Sequence, residues 1–322
     1  MDADTLAGSR FVLSPLAETT AALSRLRWDM AGQPAERDWL RAHHPAYAAH
    51  LTTDPVTAAL AEALVRPRWI SDLVARPPQA AERSFADELA ELRATPPPLA
   101  REQLTHDGRL PAGLDRDDLA DRAADLLTWV WRQTVEPEWP RRRRLLEADV
   151  LARTRQLSIG GWAAALDRMR GGVRWLGGGR LQINGYDNPP RDISGSRLYF
   201  VPVTLSLGCV AWHEQEPRRY AVIYQCAGLL ADAGRPAPEP GALGRLLGPV
   251  RARVLIELEQ PRTTSQLVAL TGQALGSIGR HLKILLEAGL VARRRAGRNV
   301  LYTRTPAGDT LVHAAATPPS PS

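Results

Sequence analysis

Residues 263–304 read TTSQLVALTGQALGSIGRHLKILLEAGLVARRRAGRNVLYTR, and their order of helix, turn, helix and hairpin decides the fold of this part of the chain. Thr263, with Gln266 three residues on, is a capping-box start, Leu267 and Leu270 supply an apolar face, and Gly272 stops the helix. A second helix is predicted from about Leu275 to Ala288, because Ile278, Leu282, Leu285 and Leu286 recur at spacings that stack on one side. Gly289 ends it, and Leu290 supplies the apolar contact that accompanies a left-handed glycine cap. Val291 to Arg295 and Asn299 to Arg304 then read as two strands around a turn at Ala296 and Gly297.

The other side of the second helix carries Ser277, Arg280, His281 and Lys283. A helix lying in the major groove of double-stranded DNA has this arrangement: residues near its N-terminus reach base edges, and later cations take phosphates. Arg294, Arg295 and Arg298 load the hairpin tip, where arginine suits phosphates or a narrow minor groove. Between Arg245 and Arg304, ten arginines and one lysine stand against Glu257, Glu259 and Glu287, a net +8 in a chain whose total is +6. The basic balance therefore belongs to this domain, as a phosphate-binding module requires. A solvated arginine-rich surface would carry the same charge, since Lys283 is the only lysine, but it would not need this order of elements.

The pattern T-G-x-x-x-G-S-I-x-R-H-L-K-x-L-x-x-A-G-L-V, followed by R-R-x-G-R-x-V-L-Y, resembles the winged helix-turn-helix of the ArsR family of bacterial repressors. The resemblance implies a DNA-binding transcriptional regulator. Two departures matter: Ala274 stands where that family usually has a serine N-cap, and Gly279 where it often has a second serine. The Cys-x-Cys motif of the metal-sensing members is missing, so no metal site of that type is expected.

The chain has 322 residues, 44% hydrophobic and 24% charged, enough for two or three domains with a real core. Cys209 and Cys226 are too few for a disulfide framework, and the opening MDADTLAGSRFVL has neither a basic n-region nor an apolar h-region. No apolar run approaches the length of a membrane span, and a cytoplasmic location without membrane contact is expected.

Up to about residue 170 the pattern is mainly helical. After an extended piece at Phe11 to Leu13, helices are predicted over Pro15 to Leu26, Thr57 to Val65 and Phe85 to Arg93. Arg76-Pro77-Pro78 and Thr95-Pro96-Pro97-Pro98 mark boundaries. A longer helix from about Asp115 breaks at Pro137 and Pro140, where another begins, carrying Leu145, Leu146, Val150 and Leu151. Arg141 to Arg144 open that helix, the wrong end for its macrodipole. They read as a solvated face, with a second contact to DNA or an acidic partner as the alternative.

From Val173 the period becomes two, with strands at Leu181 to Ile183, Leu198 to Leu205, Cys209 to His213 and Tyr220 to Tyr224. These predict a small antiparallel sheet against the helices. Trp175, Tyr186, Tyr199, Phe200, Trp212, Tyr220 and Tyr224 read as core or cross-strand pairs, with the lining of an effector pocket as the alternative. The fold class is therefore α+β and mainly helical. Residues 1–230 form an effector and dimerisation domain, 231–242 a linker, 243–313 the winged helix-turn-helix and 314–322 a disordered tail.

The N-terminal portion has landmarks of its own: Ser14-Pro15-Leu16, Phe85-x-x-Glu88-Leu89 leading to Arg93-Ala94-Thr95-Pro96, Pro137-x-Trp139-Pro140 and Glu147-Ala148-Asp149-Val150. It is similar to long actinobacterial regulators in which an uncharacterised effector-type domain precedes an ArsR-like winged helix. No catalytic constellation is legible. His43, His44 and His50 lack a spaced carboxylate or cysteine, Gly177-Gly178-Gly179 is no phosphate loop, and no nucleophile elbow occurs. Cys209, His213 and Cys226 would hold zinc only if the strands brought them together.

The expected function is sequence-specific DNA binding by a homodimeric repressor on an inverted repeat, under control of a small-molecule effector, with no cofactor and no catalysis. An effector-domain enzyme with a DNA-binding attachment and a protein-contact winged helix are the rival readings.

Overall fold

The computed structural model describes residues 1–31, 34–80, 83–166, 169, 173–183, 189–226, 241–258, 261–296 and 299–316. Tyr186, Glu259, Gly297, Arg298, the expected linker as far as 240 and the expected tail from 317 lie outside the described residues. The chain divides into two units, residues 1–234 and 235–322.

The first unit opens with α1 (Ala3–Gly8), β1 (Arg10–Phe11), α2 (Pro15–Trp28), α3 (Pro34–Thr52) and α4 (Pro55–Leu64). The short strands β2 (Val65–Arg66) and β3 (Trp69–Ile70) follow, then α5 (Phe85–Arg93), α6 (Pro97–Leu104) and α7 (Leu119–Val130). A wide π turn at Trp131–Val135 and a tight 3₁₀ turn at Glu136–Glu138 lead into α8 (Trp139–Leu166), which kinks at Gly160 and Gly161. The strands β4 (Arg174–Gly177), β5 (Arg180–Gln182), β6 (Arg197–Val203), β7 (Cys209–His213) and β8 (Arg219–Gln225) complete it.

Local chemistry fixes several of these starts. Ser14 caps α2 by accepting from the Ala17 amide, with Pro15 in the first turn where a missing N–H costs nothing. Ser84 and Asp87 form a reciprocal capping box on α5. Three sequence expectations are corrected. α3 was hidden by Pro45, an interior proline that normally breaks a helix. Thr95-Pro96-Pro97-Pro98 does not only close an element, because Pro97 opens α6. The pattern expected from Asp115 is helical only from Leu119, and the chain stays wound through Pro137 and Pro140 instead of breaking.

α2 is the hub of this unit, buried on every side from Pro15 to Ser24 and packed on α3, α5, α7 and β6. Its interior includes Glu18, fully buried, whose carboxylate accepts from Arg142 Nη1 at 2.6 Å, from the Thr204 amide at 2.8 Å and from the Thr204 hydroxyl. Arg142, also fully buried, donates further to Glu138 at 3.0 Å and to the Thr134 carbonyl at 3.2 Å. The solvated face expected at Arg141 to Arg144 is thus wrong for one member: Arg142 ties α8 to α2 and to the end of β6. Arg143 and Arg144 are exposed.

The main sheet has the order β1-β6-β8-β7. β7 and β8 pair antiparallel, whereas β6 joins β8 and β1 in parallel. Tyr199, Val201 and Val203 of β6 face the helical core around α2, and the alternate residues Leu198 and Phe200 face a second cluster with Leu166 and Met169. Both faces being covered, β6 and β8 are almost continuously buried. Tyr199, Phe200, Tyr220 and Tyr224 are core residues. The other sheet of this unit's C-terminal part is the antiparallel pair β4-β5.

The second unit contains α9 (Gly241–Leu247), α10 (Pro249–Glu257), β9 (Arg262–Thr263), α11 (Thr264–Thr271) and α12 (Leu275–Glu287). The hairpin β10 (Val291–Ala296) and β11 (Asn299–Arg304) and the helix α13 (Pro306–Ala316) follow. α13 takes in residues 314–316, the first three of the expected tail. The predicted capping box on α11 is present in both directions, and Gly272 and Gly289 adopt the left-handed angles that end their helices. Val254, Leu255, Leu267, Ile278, Leu282, Leu285 and Val291 form the core. The fold is α+β and mainly helical, with a winged helix-turn-helix at its C-terminal end.

Candidate nucleic-acid interface

α12 presents its inward side through Ile278, Leu282 and Leu285. At about 100° per residue the opposite side is Gly276, Arg280, Lys283 and Glu287, while Ser277 and His281 lie on one flank. Exposure follows that geometry: Arg280 and Lys283 are exposed, and Ser277 and His281 are half-buried. Ile284, 42% exposed, adds an apolar group of the kind that meets a thymine methyl. Ala274 gives no side-chain cap, and a Cβ added at Gly279 would meet nothing within 4 Å.

In the hairpin, Arg293 pairs with Tyr302, Arg294 with Leu301 and Arg295 with Val300. All three arginines are exposed. Alternation along the strand puts Arg293 and Arg295 on one face and Arg294 on the other. The structure therefore separates Arg294 from Arg295, and it adds Arg293, which the sequence reading had not selected.

Not all of the domain's positive charge is available to a ligand. Arg262 is buried and donates to the Glu257 carbonyl at 3.0 Å. Arg253 lies 3.2 Å from Glu257, and Arg304 lies 2.7 Å from Asp309. Lys283 is 3.9 Å from Glu287, both exposed, a contact worth little. The net +8 counts charges that serve the fold as well as charges that face outward.

His281 is held below the ordinary histidine range by partial burial, with Arg251 and Arg280 acting in the same direction. Its Nδ1 is buried and has no hydrogen-bond partner among the described residues. Arg251, in α10, is thus a neighbour of the recognition side that sequence reasoning missed. It belongs to the helix preceding the motif, and only its charge was visible.

The other candidates do not assemble. Cys209 pairs with Ile223 and His213 with Arg219, at opposite ends of β7. Four residues of strand separate them by about 13 Å, whereas zinc bonds are about 2.0–2.3 Å long. The described residues contain no group of three metal-ligating side chains. His43 and His50 lie on α3. His50 stacks on Trp129 with ring centroids 4.4 Å apart, and His43 is 5.0 Å from Trp39, its pKa lowered by burial and by Arg142. Gly177, Gly178 and Gly179 all have positive φ, in the tight turn between β4 and β5.

A short helix ended by a left-handed glycine, a second helix with a cationic outer side and a basic hairpin define a winged helix-turn-helix DNA-binding domain. Residues 246–294, from α9 into β10, match the family model described as a helix-turn-helix domain. No match was found among curated proteins or among solved structures. Among the described residues, no helix is long and apolar enough to cross a membrane.

Proposed function

We propose that the protein is a sequence-specific transcriptional regulator of the ArsR type, a cytoplasmic homodimeric repressor whose first unit receives a small effector and which acts by binding, without turnover. The observation that carries this reading is the outward cationic side of α12, beside a basic wing, within the segment that matches a helix-turn-helix domain. Arg280 and Ser277 read base edges, His281 and Lys283 contact bases or phosphates, and Arg294, Arg295 and Arg298 grip the backbone from the wing. One winged helix buries too little surface to select a site alone. Two copies would set their α12 helices about 34–36 Å apart on an inverted repeat of double-stranded DNA.

The test is fluorescence-anisotropy binding of the full chain to DNA from upstream of its own gene and to scrambled DNA, at two salt concentrations. A preference of about a thousandfold or more supports an operator-specific regulator. Equal, weak binding that falls steeply with salt would leave only a basic surface. Sedimentation of the protein–DNA complex reads the dimer separately.

A further inference from the structure

The two sides of α8 meet different surroundings. Arg142, Leu145, Leu146, Asp149 and Arg153 are buried within the first unit. The opposite side is crossed obliquely by a row of residues four apart, Arg143, Glu147, Leu151, Arg155 and Ile159, and all five are exposed. Leu151 is 60% exposed and Ile159 80%. Isolated apolar residues on a surface are ordinary and say nothing by themselves.

The order of charge along the row is what carries an inference. It runs cation, anion, leucine, cation, isoleucine. Turned end for end about Leu151, the same row sets Glu147 against Arg155 and Leu151 against Leu151. It also sets Arg143 against Ile159, whose methyl groups an arginine stem can cover. The row is therefore complementary to an inverted copy of itself. A two-fold interface requires this, because one patch serves both subunits and each contact occurs twice. Laid in the same direction, two copies would instead put Glu147 on Glu147 and Arg155 on Arg155. Glu147 lies 2.7 Å from Arg143 of its own chain, whereas among the described residues no ion pair holds Arg155. In the commonest crossing of two helices, at about −50°, rows of residues four apart interdigitate, so an oblique row such as this one is covered along its length.

We propose that the exposed row of α8 is where two copies of this chain meet, antiparallel, with the two-fold axis at Leu151. The proposal rests on the homodimer of the regulator reading above and gives it a surface. One helix crossing is a small interface, so association of the free protein is weak and gains from two copies being held on one inverted repeat.

Sedimentation equilibrium of the full chain, over a series of concentrations and then on operator DNA, tests it. Glu147→Arg puts like charges into both copies of the contact and should weaken the dimer about tenfold or more. Glu147→Arg combined with Arg155→Glu reverses both charges and should return the dissociation constant to within about threefold of wild type. Leu151→Asp sets two carboxylates together at the axis and should leave the free chain monomeric. A dimer that neither Glu147→Arg nor Leu151→Asp weakens would overturn the proposal, as would a loss that the double reversal does not recover. Both outcomes leave the homodimer reading standing. A wild-type chain that is monomeric both free and on operator DNA would sink that reading, and the proposal with it. Should a charge variant fold poorly by circular dichroism, Leu151→Cys decides. A short bis-maleimide should link its copies beyond the level of wild type, which carries Cys209 and Cys226. A Leu151→Cys protein that sediments as a dimer yet is not linked places the interface elsewhere.

Discussion

Arginine runs of similar appearance occur in both units and do opposite things. In Arg141 to Arg144 the second member is fully buried and bonded to Glu18, Glu138 and Thr134. In Arg293 to Arg295 all three are exposed, on the two faces of a strand in turn. The difference lies in what the rest of the fold offers. Glu18, on a helix buried all round, needs a cation, and a turn of α8 supplies one; among the described residues of the second unit, no ion pair holds Arg293, Arg294 or Arg295. An arginine run is thus structural or functional according to the carboxylates the fold brings to it, and its own spacing does not say which.

The comparison is broken most directly at Arg142. Removing one partner of a buried pair leaves an uncompensated charge, so Arg142→Met should destabilise the first unit by about 3–5 kcal/mol in urea unfolding. Arg144→Ala, at an exposed position, should change stability by about 0.5 kcal/mol or less. Equal effects would mean that the run acts as one surface. Glu18→Gln combined with Arg142→Met should recover part of the loss, because the fully buried Glu18 charge is then removed and only the half-buried Glu138 is left without its partner.

Buried charge in the first unit also makes its stability depend on pH. Burial raises Glu88 from an ordinary 4.5 to about 7, although its carboxylate accepts from the Leu16 amide at 2.8 Å. The folded state then holds a proton that the unfolded chain releases. Stability from this group is full below the unfolded value of 4.5 and is lost as pH rises through about 7. The loss is on the order of 3 kcal/mol, and Glu88→Gln, which keeps an acceptor for Leu16, should flatten the profile. A wild-type stability that instead rises from pH 5 to pH 8, with no flattening in the variant, would show Glu88 to be ionised in the fold.

Much of the second unit was legible because its signals are local. The Thr263 and Gln266 capping box, Gly272, the leucine spacing of α12 and the alternation of the hairpin each lie within a few residues. The first unit was legible only in part. α3 was masked by Pro45, and α2 carries Glu18, Thr19 and Thr20, which look like a solvent side until Arg142 and Thr204 are brought from far along the chain. The parallel pairing of β6 with β8 leaves no trace in periodicity, since both strands are covered on both faces. Within the interface, the faces of Arg294 and Arg295 followed from strand alternation once the register was known. Arg251 did not, because its proximity to His281 depends on how α10 packs on α12.

In the second unit the outward arginines should matter for binding and little for folding. Arg280→Ala is expected to cost about 1–3 kcal/mol on the operator and to relax specificity at one position. Arg294→Ala should weaken binding to all DNA alike and reduce the salt slope by about one. Anisotropy titrations at several salt concentrations separate the two. Uniform loss in Arg280→Ala would move that residue to the phosphate backbone, and the contrast between helix and wing would disappear.

The smallest expected effects concern the two places where α12 departs from what a helix prefers. Ala274 leaves the first turn without a side-chain cap, and Ala274→Ser would supply an oxygen for it, worth about 1 kcal/mol. Gly279→Ala should add about as much, because the helix gains a better former and the new Cβ meets nothing within 4 Å. Both gains would be read as a later unfolding transition of the second unit. DNA affinity then separates them. Ala274 precedes the helix, so its serine variant should bind at least as well as wild type. Gly279 sits on the flank opposite Ser277 and His281, which a helix seated in the major groove would turn toward a groove wall. If Gly279→Ala is more stable yet binds the operator more weakly, the open space beside that glycine is space the DNA uses, and the missing side chain belongs to recognition. Unchanged affinity would place Gly279 away from the DNA, with the contacting arc of α12 running from Arg280 toward Ser277.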